Sequence, residues 1–396
     1  MDTGRSTLTA PRERVIRGER GWWFLGPGGT ARLSAGHLTE QHTLRPDAER
    51  YLRDQGLFTA PKYRSYSLTV LTSTACNLGC GYCFQNTGQD TRSGVRPPRI
   101  RNRRLTSDTI EAILAFTKRQ MAQAGLDRLM IMLFGGEPLL NPRGCVELLS
   151  RAADLDLTSA SMTSNGTLLT PRLVTQLADL GLRHVQVTFD GDADVHDQIR
   201  VSRSGSGTFD LIVNNIARVL DLTPIRWDLR VNVSEHNRHT MDGLVEHLAE
   251  RLDPARCSLY FARVGDVGIG YRNDMAHSDE TVAGFSRWQR RALELGFSVP
   301  RPRAETPCQA CSFRDGRYGA VVSADGTLSS CWETAGKPGW MVGTVDAGYL
   351  SSEVTESRWI SCEDSYRYGD DMSAILAFQD AVDAALLDYL SLTGRL

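Results

Sequence analysis

No apolar run in this chain approaches the length of a membrane span, and residues 1–20 carry charge without the apolar core of a secretory signal, so a cytoplasmic location is expected. An excess of one charge is also missing. Lysine plus arginine number 45 against 47 for aspartate plus glutamate, a net charge of -2, which argues against nucleic acid or an anionic membrane as the partner. Nor are the 9 cysteines spread as in a disulfide framework, since most gather near 76–83 and 308–331, as metal ligands in a reducing compartment do. Hydrophobic content of 41% and charged content of 23% are those of an ordinary globular protein, and 396 residues suit two or three domains.

The first cysteine group reads Cys76-x3-Cys80-x2-Cys83 and is followed by Phe84, on a loop after the β-rich run Ser67 to Thr74. Three thiolates can hold three irons of a [4Fe-4S] cluster, because soft sulfur ligands suit iron-sulfur sites. One iron then stays open. It can take the amino and carboxylate groups of S-adenosylmethionine (SAM), whose sulfonium an added electron cleaves to a 5'-deoxyadenosyl radical. The alternative is a zinc knuckle, although zinc sites usually show paired C-x2-C units or Cys/His pairs. With the motifs below, the chain resembles the radical SAM superfamily. The resemblance implies a cluster on Cys76, Cys80 and Cys83, SAM as cofactor, an external electron donor such as flavodoxin or ferredoxin, and adenine contacts from Tyr82 or Phe84.

From Ser67 to Val264 short apolar runs alternate with amphipathic helical stretches. Strands are expected at Ser67 to Ser73, Leu129 to Phe134, Ser159 to Thr163, His184 to Phe189, Trp227 to Val233 and Ser258 to Val264, with a last helix at Glu280 to Leu295. Repeated βα units imply a parallel sheet with its site at the C-terminal strand ends. The expected fold class is α/β: a partial (β/α)6 TIM-like barrel over residues 67–300, a small N-terminal α+β module over 1–66, and a C-terminal SPASM/twitch-like β-hairpin plus helix over 301–396. At the strand ends, Gly135-Gly136-Glu137-Pro138 looks like the family's GGE motif, with the backbone and Glu137 accepting from the SAM ammonium. Ser164-Asn165-Gly166, Thr188-Phe189-Asp190-Gly191 and His196-Asp197 with Arg200 resemble signatures of the peptide- and protein-modifying branch. By that resemblance Ser164, Asn165, Thr188 and Asp190 hold ribose hydroxyls or orient neighbours, and Arg200 pairs with a carboxylate.

Outside the barrel, Val15-Ile16 and Trp22-Trp23-Phe24-Leu25 suggest a β-meander followed by a helix from Pro46. This module is either a leader-peptide reader or a lid, with Trp22 and Trp23 packed on the barrel. The segment Gln85 to Leu105 holds Arg92, Arg96, Arg99, Arg101, Arg103 and Arg104, and reads as a solvated loop or a dock for acidic groups. Cys308-x2-Cys311, a hairpin turn at Asp325-Gly326, and Cys331 resemble the opening of a SPASM or twitch extension. That likeness implies one auxiliary [4Fe-4S] cluster on Cys308, Cys311, Cys331 and Cys362, with zinc on the same ligands as the alternative. Cys145 and Cys257 read as small buried hydrophobes, and Met372 to Leu390 as an amphipathic helix.

Together these features resemble maturases of ribosomally made peptides. The implied partner is a precursor peptide and the implied outcome a thioether or carbon-carbon crosslink made by an oxidoreductase. Epimerisation of a peptide and dehydrogenation of an aminocyclitol-type small molecule are the enzymatic alternatives, and a non-catalytic iron-sulfur or zinc protein is the alternative of another class. No catalytic acid, base or hydrogen donor is assigned by the sequence.

Overall fold

The computed structural model describes residues 13–60, 62–88, 98–202, 204–265, 271, 273, 275–304, 308–360 and 372–396. Alternating apolar residues fold the N-terminal module into strands β1 (Arg14–Gly18), β2 (Gly21–Gly26) and β3 (Gly29–Leu33), an antiparallel sheet followed by helix α1 (Pro46–Asp54). Because side chains alternate across a strand, the sheet has two apolar faces. One presents Phe24 and Leu33 to Leu38 and Leu52; the other presents Ile16, Trp23 and Leu25.

Six parallel strands carry the centre of the fold: β4 (Ser65–Ser73), β5 (Arg128–Gly135), β6 (Leu157–Ser164), β7 (Leu182–Phe189), β8 (Arg226–Val233) and β9 (Cys257–Arg263). Helices α2 (Ser107–Ala124), α3 (Pro142–Ala152), α4 (Pro171–Asp179), α5 (Ala193–Ile199), α6 (Phe209–Leu220) and α7 (Met241–Arg251) lie in the crossovers, and α8 (Asp279–Glu294) follows β9. Their starts have local causes. Thr106 and Thr170 cap α2 and α4 by accepting from Thr109 N and Leu173 N, and Pro171 fills the first helical position of α4. One face of the strands, including Leu68, Ile131, Val185, Trp227 and Leu229, packs with Ile113, Leu148, Val174 and Ile216 of the helices. Each such fully buried side chain contributes about 1.5–3 kcal/mol. The opposite face carries Thr69, Ser161, Thr188, Arg230 and Asn232, a polar lining for the concave side.

This is the α/β, partial-barrel architecture expected from the βα repeat. The C-terminal hairpin, however, does not stand apart. Strand β10 (Gly319–Val322) pairs parallel with β4, and β11 (Thr327–Ser329), β12 (Gly343–Thr344) and β13 (Gly348–Tyr349) continue outward, giving a 10-stranded sheet ordered β13-β12-β11-β10-β4-β5-β6-β7-β8-β9. An unpaired β4 edge would expose a row of backbone donors and acceptors, and β10 satisfies them. After the short helix α9 (Ser352–Thr355), the chain ends in α10 (Met372–Leu392).

Helix α10 is also what the N-terminal sheet sits on. Ile16, Trp23 and Leu25 pack on Ala384 and Leu387, Arg14 bridges Asp380 and Asp383 at 2.7 and 2.6 Å, and Trp23 Nε1 donates to Asp388 Oδ1 at 2.9 Å. Trp23 therefore buries against α10 rather than against the barrel wall.

Candidate functional site

The three cysteines leave the C-terminal end of β4 on a loop pinned from several directions. Gly79 N donates to Val201 O at 3.0 Å, Asn86 Nδ2 to Cys80 O at 3.1 Å and to Gly81 O at 3.2 Å, and Leu78 N to Cys76 Sγ at 3.4 Å. Cys80 is buried, and burial pushes its thiol up to about 12, a trend that nearby Arg200 opposes. Two cations answer the charge that three thiolates would bring. Arg200 interacts with Cys80, while Arg99 interacts with Cys83, Cys76 and Cys80 and donates Nη1 to Cys83 Sγ at 3.4 Å.

Among the described residues no three cysteine, histidine or carboxylate side chains close on a single point as ligands of one ion do. Arg99 Nε and Arg200 Nε are buried donors with no partner among the described residues, as expected where an anionic group belongs.

The GGE segment packs directly beneath that loop. Gly136 N donates to Ser73 O at 2.9 Å and Glu137 N to Ala75 O at 2.8 Å. A Cβ on Gly135 would run into Ser73 O, and one on Gly136 into Ala75 O, so both positions require glycine for this approach. Glu137 ties two strand ends together. Its fully buried carboxylate accepts Leu139 N at 3.0 Å and Ser164 Oγ at 2.9 Å on Oε1, and Asn165 N at 2.7 Å on Oε2. Burial raises its pKa while these donors pull it back. With these bonds Glu137 braces the β5 and β6 ends.

Ser164 is spent on the same brace, accepting also from Gly166 N at 3.1 Å. Asn165 links it to the cysteine loop: Nδ2 donates to Asn77 Oδ1 at 2.8 Å and lies 3.8 Å from Cys76 Sγ, while Oδ1 accepts from Thr167.

A second buried network gathers Tyr82, Asp190, Arg200 and Asn232. The Tyr82 hydroxyl donates to Asp190 Oδ2 at 2.8 Å and accepts from Arg200 Nη1 at 2.8 Å and Asn232 Nδ2 at 3.0 Å. Arg200 also reaches Asp190 Oδ2 at 3.4 Å. Burial works against the Arg200 charge, but Tyr82, Cys80 and Asp190 hold it more firmly protonated than usual. Arg200 ends α5, whose N-cap Asp192 accepts from Val195 N, so the His-Asp-x-x-Arg run is a short helix that delivers the guanidinium inward. Thr188 lies nearly buried on β7.

Phe84 goes elsewhere. It stacks on Phe134 at 6.1 Å between ring centroids, and Phe134 meets Trp332 at 6.0 Å, which joins the cysteine loop to the C-terminal extension.

In that extension Cys311 and Cys331 are buried and Cys308 half-buried, and the three thiols interact electrostatically. Burial holds the Cys331 thiol well above its ordinary range. Trp359 Nε1 donates to Cys311 O at 2.7 Å and Ile360 N to Ser330 Oγ at 3.0 Å, so the chain returns to these cysteines just before Cys362, which lies outside the described residues. Cys145 and Cys257 are enclosed in the apolar core, their thiols pushed up to about 12 by burial.

Sequence reasoning missed the placement of Arg99, which it read as one of several loop arginines; its only signal was the short distance along the chain to Cys83. Asn232 carried a clearer one, a polar residue at the end of a parallel strand.

Comparison with known proteins agrees with this geometry. The chain is 31% identical over 185 residues to a probable GTP 3',8-cyclase of Halobacterium salinarum, covering 46% of each. It is 28% identical over 305 residues to the PqqA peptide cyclase of Rhodopseudomonas palustris, covering 74% of this chain and 73% of that one. The chain spans about half the length of the first curated relatives it matches. Among solved structures, native anSMEcpe with bound AdoMet superposes with a TM-score of 0.58 at 14% identity, covering 83% of this chain and 99% of that one, a likeness of fold. Residues 70–248 match the Radical SAM superfamily, and the protein carries a radical SAM domain over that stretch, from within β4 to α7.

Proposed function

We propose that this protein cleaves SAM reductively and uses the resulting radical to modify a ribosomally made peptide, most simply by forming a crosslink. The observation that carries the first half is the three-thiol loop at the C-terminal end of β4, flanked by the half-buried Arg99 and the buried Arg200. Cys76, Cys80 and Cys83 would hold the [4Fe-4S] cluster, which when bound supplies the electron to SAM at its open iron. The chain supplies placement. Glu137, Ser164 and Asn165 fix the loop beneath the cluster, and the Tyr82, Asp190, Arg200 and Asn232 network closes its side.

Peptide modification is supported by the match to a peptide cyclase, which extends well beyond the domain common to the family. Crosslinking is favoured over epimerisation because the latter needs a hydrogen donor, and Cys145 and Cys257 are sealed in the core. A net oxidation also needs an electron acceptor, a role for an auxiliary cluster on Cys308, Cys311, Cys331 and Cys362, with zinc as the alternative occupant. The electron donor would be a flavodoxin or ferredoxin, and the setting the reducing cytoplasm. Among the described residues no helix is long and apolar enough to cross a membrane.

The test is anaerobic reconstitution followed by dithionite and SAM. Formation of 5'-deoxyadenosine supports the reaction class, and its absence with and without peptide refutes it. Coexpression with short peptides encoded beside the gene then separates the outcomes. Loss of two hydrogens marks a crosslink, whereas deuterium uptake from solvent without a mass change in ordinary water marks epimerisation.

A further inference from the structure

The stretch after the cysteine loop turns back on itself. Thr87 N donates to Pro98 O at 2.7 Å and Ile100 N to Gln85 O at 3.1 Å, and Asn86 bridges Arg99. Beyond this ladder the chain runs along the end of β4, with Thr74 N donating to Arg103 O and Leu105 N to Thr72 O, both at 3.0 Å. Arg99 is therefore fixed on both sides by backbone bonds. Its side chain is fixed as well: Nη2 donates to Gln85 Oε1 at 2.8 Å and Nη1 to Cys83 Sγ at 3.4 Å. A loop arginine normally keeps its charged end in water and its rotamer freedom, worth up to about 2 kcal/mol. This one is half-buried and held by two side-chain bonds, one of them to a sulfur.

We propose that Arg99 is a positioning residue that sets how readily the cluster on Cys76, Cys80 and Cys83 accepts its electron, through the N–H···S bond to Cys83. The inference rests on reading those cysteines as cluster ligands. Reduction transfers one electron from the external donor to the cluster, with no bond made or broken and no proton moved, so the cluster becomes one charge more negative. A fixed cation donating to a ligand sulfur favours that more negative state, as hydrogen bonds and local charge do for iron-sulfur potentials generally. Removing it makes reduction harder.

The experiment compares full-length wild type, Arg99→Gln and Arg99→Lys after reconstitution, measuring iron content, SAM affinity, and the midpoint of the SAM-perturbed reduced signal by electron paramagnetic resonance. Arg99→Gln should hold wild-type iron yet be reduced about tenfold less favourably, a midpoint about 59 mV more negative for one electron. Arg99→Lys, which keeps the charge without the planar fork, should recover part of that shift. An unchanged midpoint in Arg99→Gln at wild-type iron content overturns the proposal, and with weakened SAM binding it assigns the guanidinium to the ligand instead. Loss of the cluster from both variants also overturns it, making Arg99 a folding contact. A wild-type chain that takes up no cluster refutes the reading beneath the proposal and takes the proposal with it.

Discussion

The Glu137 carboxylate accepts the Asn165 backbone N–H at 2.7 Å, tying the end of β5 to the end of β6 under the cysteine loop. Its other oxygen takes Leu139 N and Ser164 Oγ. All three partners donate, so the site needs an acceptor on both oxygens. Glu137→Gln turns one oxygen into an amide that faces a donor and leaves a buried group unpaired, at a cost of about 1–3 kcal/mol. The urea midpoint of the metal-free protein should fall accordingly. A midpoint equal to wild type would mean the brace is not structural.

His196 offers a pH test. Asp190 N donates to its Nδ1 at 3.3 Å, and Thr208 Oγ1, which donates to Arg200 O at 3.0 Å, is left to accept from Nε2 at 3.2 Å, so the ring is neutral with its proton on Nε2. Burial and then Arg200 push its pKa well below 6.5. Above that value the folded and unfolded states are both neutral and the residue adds no slope. Below it the unfolded chain binds a proton that the native one refuses, so stability falls as pH falls, by up to about 1.4 kcal/mol per pH unit. Urea unfolding of wild type and His196→Gln across this range should show a shallower dependence in the variant, and parallel curves would count against the assignment.

Much of this was legible beforehand for a simple reason. Parallel strands covered by helices are short apolar runs, so Leu129 to Phe134 and Trp227 to Val233 announce themselves, and the observed β5 and β8 differ only at their ends. Pairing between distant segments has no such mark. Nothing in Ala320-Val321-Val322 specifies that it completes the β4 edge, because register with Ser67 to Val70 is set by the fold and not by its own pattern. The same holds for side-chain direction. Motif spacing put Glu137 at the site, yet whether its carboxylate faces a ligand or a brace depends on Ser164 and Asn165, which arrive from another strand.

The join between the two termini rests on a close approach. Asp388 Oδ1 accepts Trp23 Nε1 and Oδ2 accepts Glu19 N at 2.7 Å, and a Cβ on Gly18 would press into that carboxylate. Gly18→Ala should displace Asp388, break both bonds and cost about 1–3 kcal/mol. Hydrogen exchange should then quicken in β1, β2 and α10 while β4 to β9 stay protected. Unchanged exchange in α10 would show that the Arg14 ion pairs and the apolar contacts of Ile16 and Leu25 hold the join without Asp388.

The final prediction concerns metal content. Trp359 Nε1 and Ile360 N donate to Cys311 O and Ser330 Oγ shortly before Cys362 in the sequence, and the proposed auxiliary ligands are Cys308, Cys311, Cys331 and Cys362. Four thiolates would close every iron of one auxiliary cluster, leaving none open to SAM, so reconstituted protein should bind about eight irons, four at each site. Replacing Cys76, Cys80 and Cys83 with alanine should leave about four irons with a cluster spectrum. If that variant holds zinc and no iron, the extension is a structural zinc clip, and the electron acceptor that crosslinking requires must lie elsewhere. A cluster that survives Cys362→Ala in the same background would give the fourth position to another ligand or to substrate.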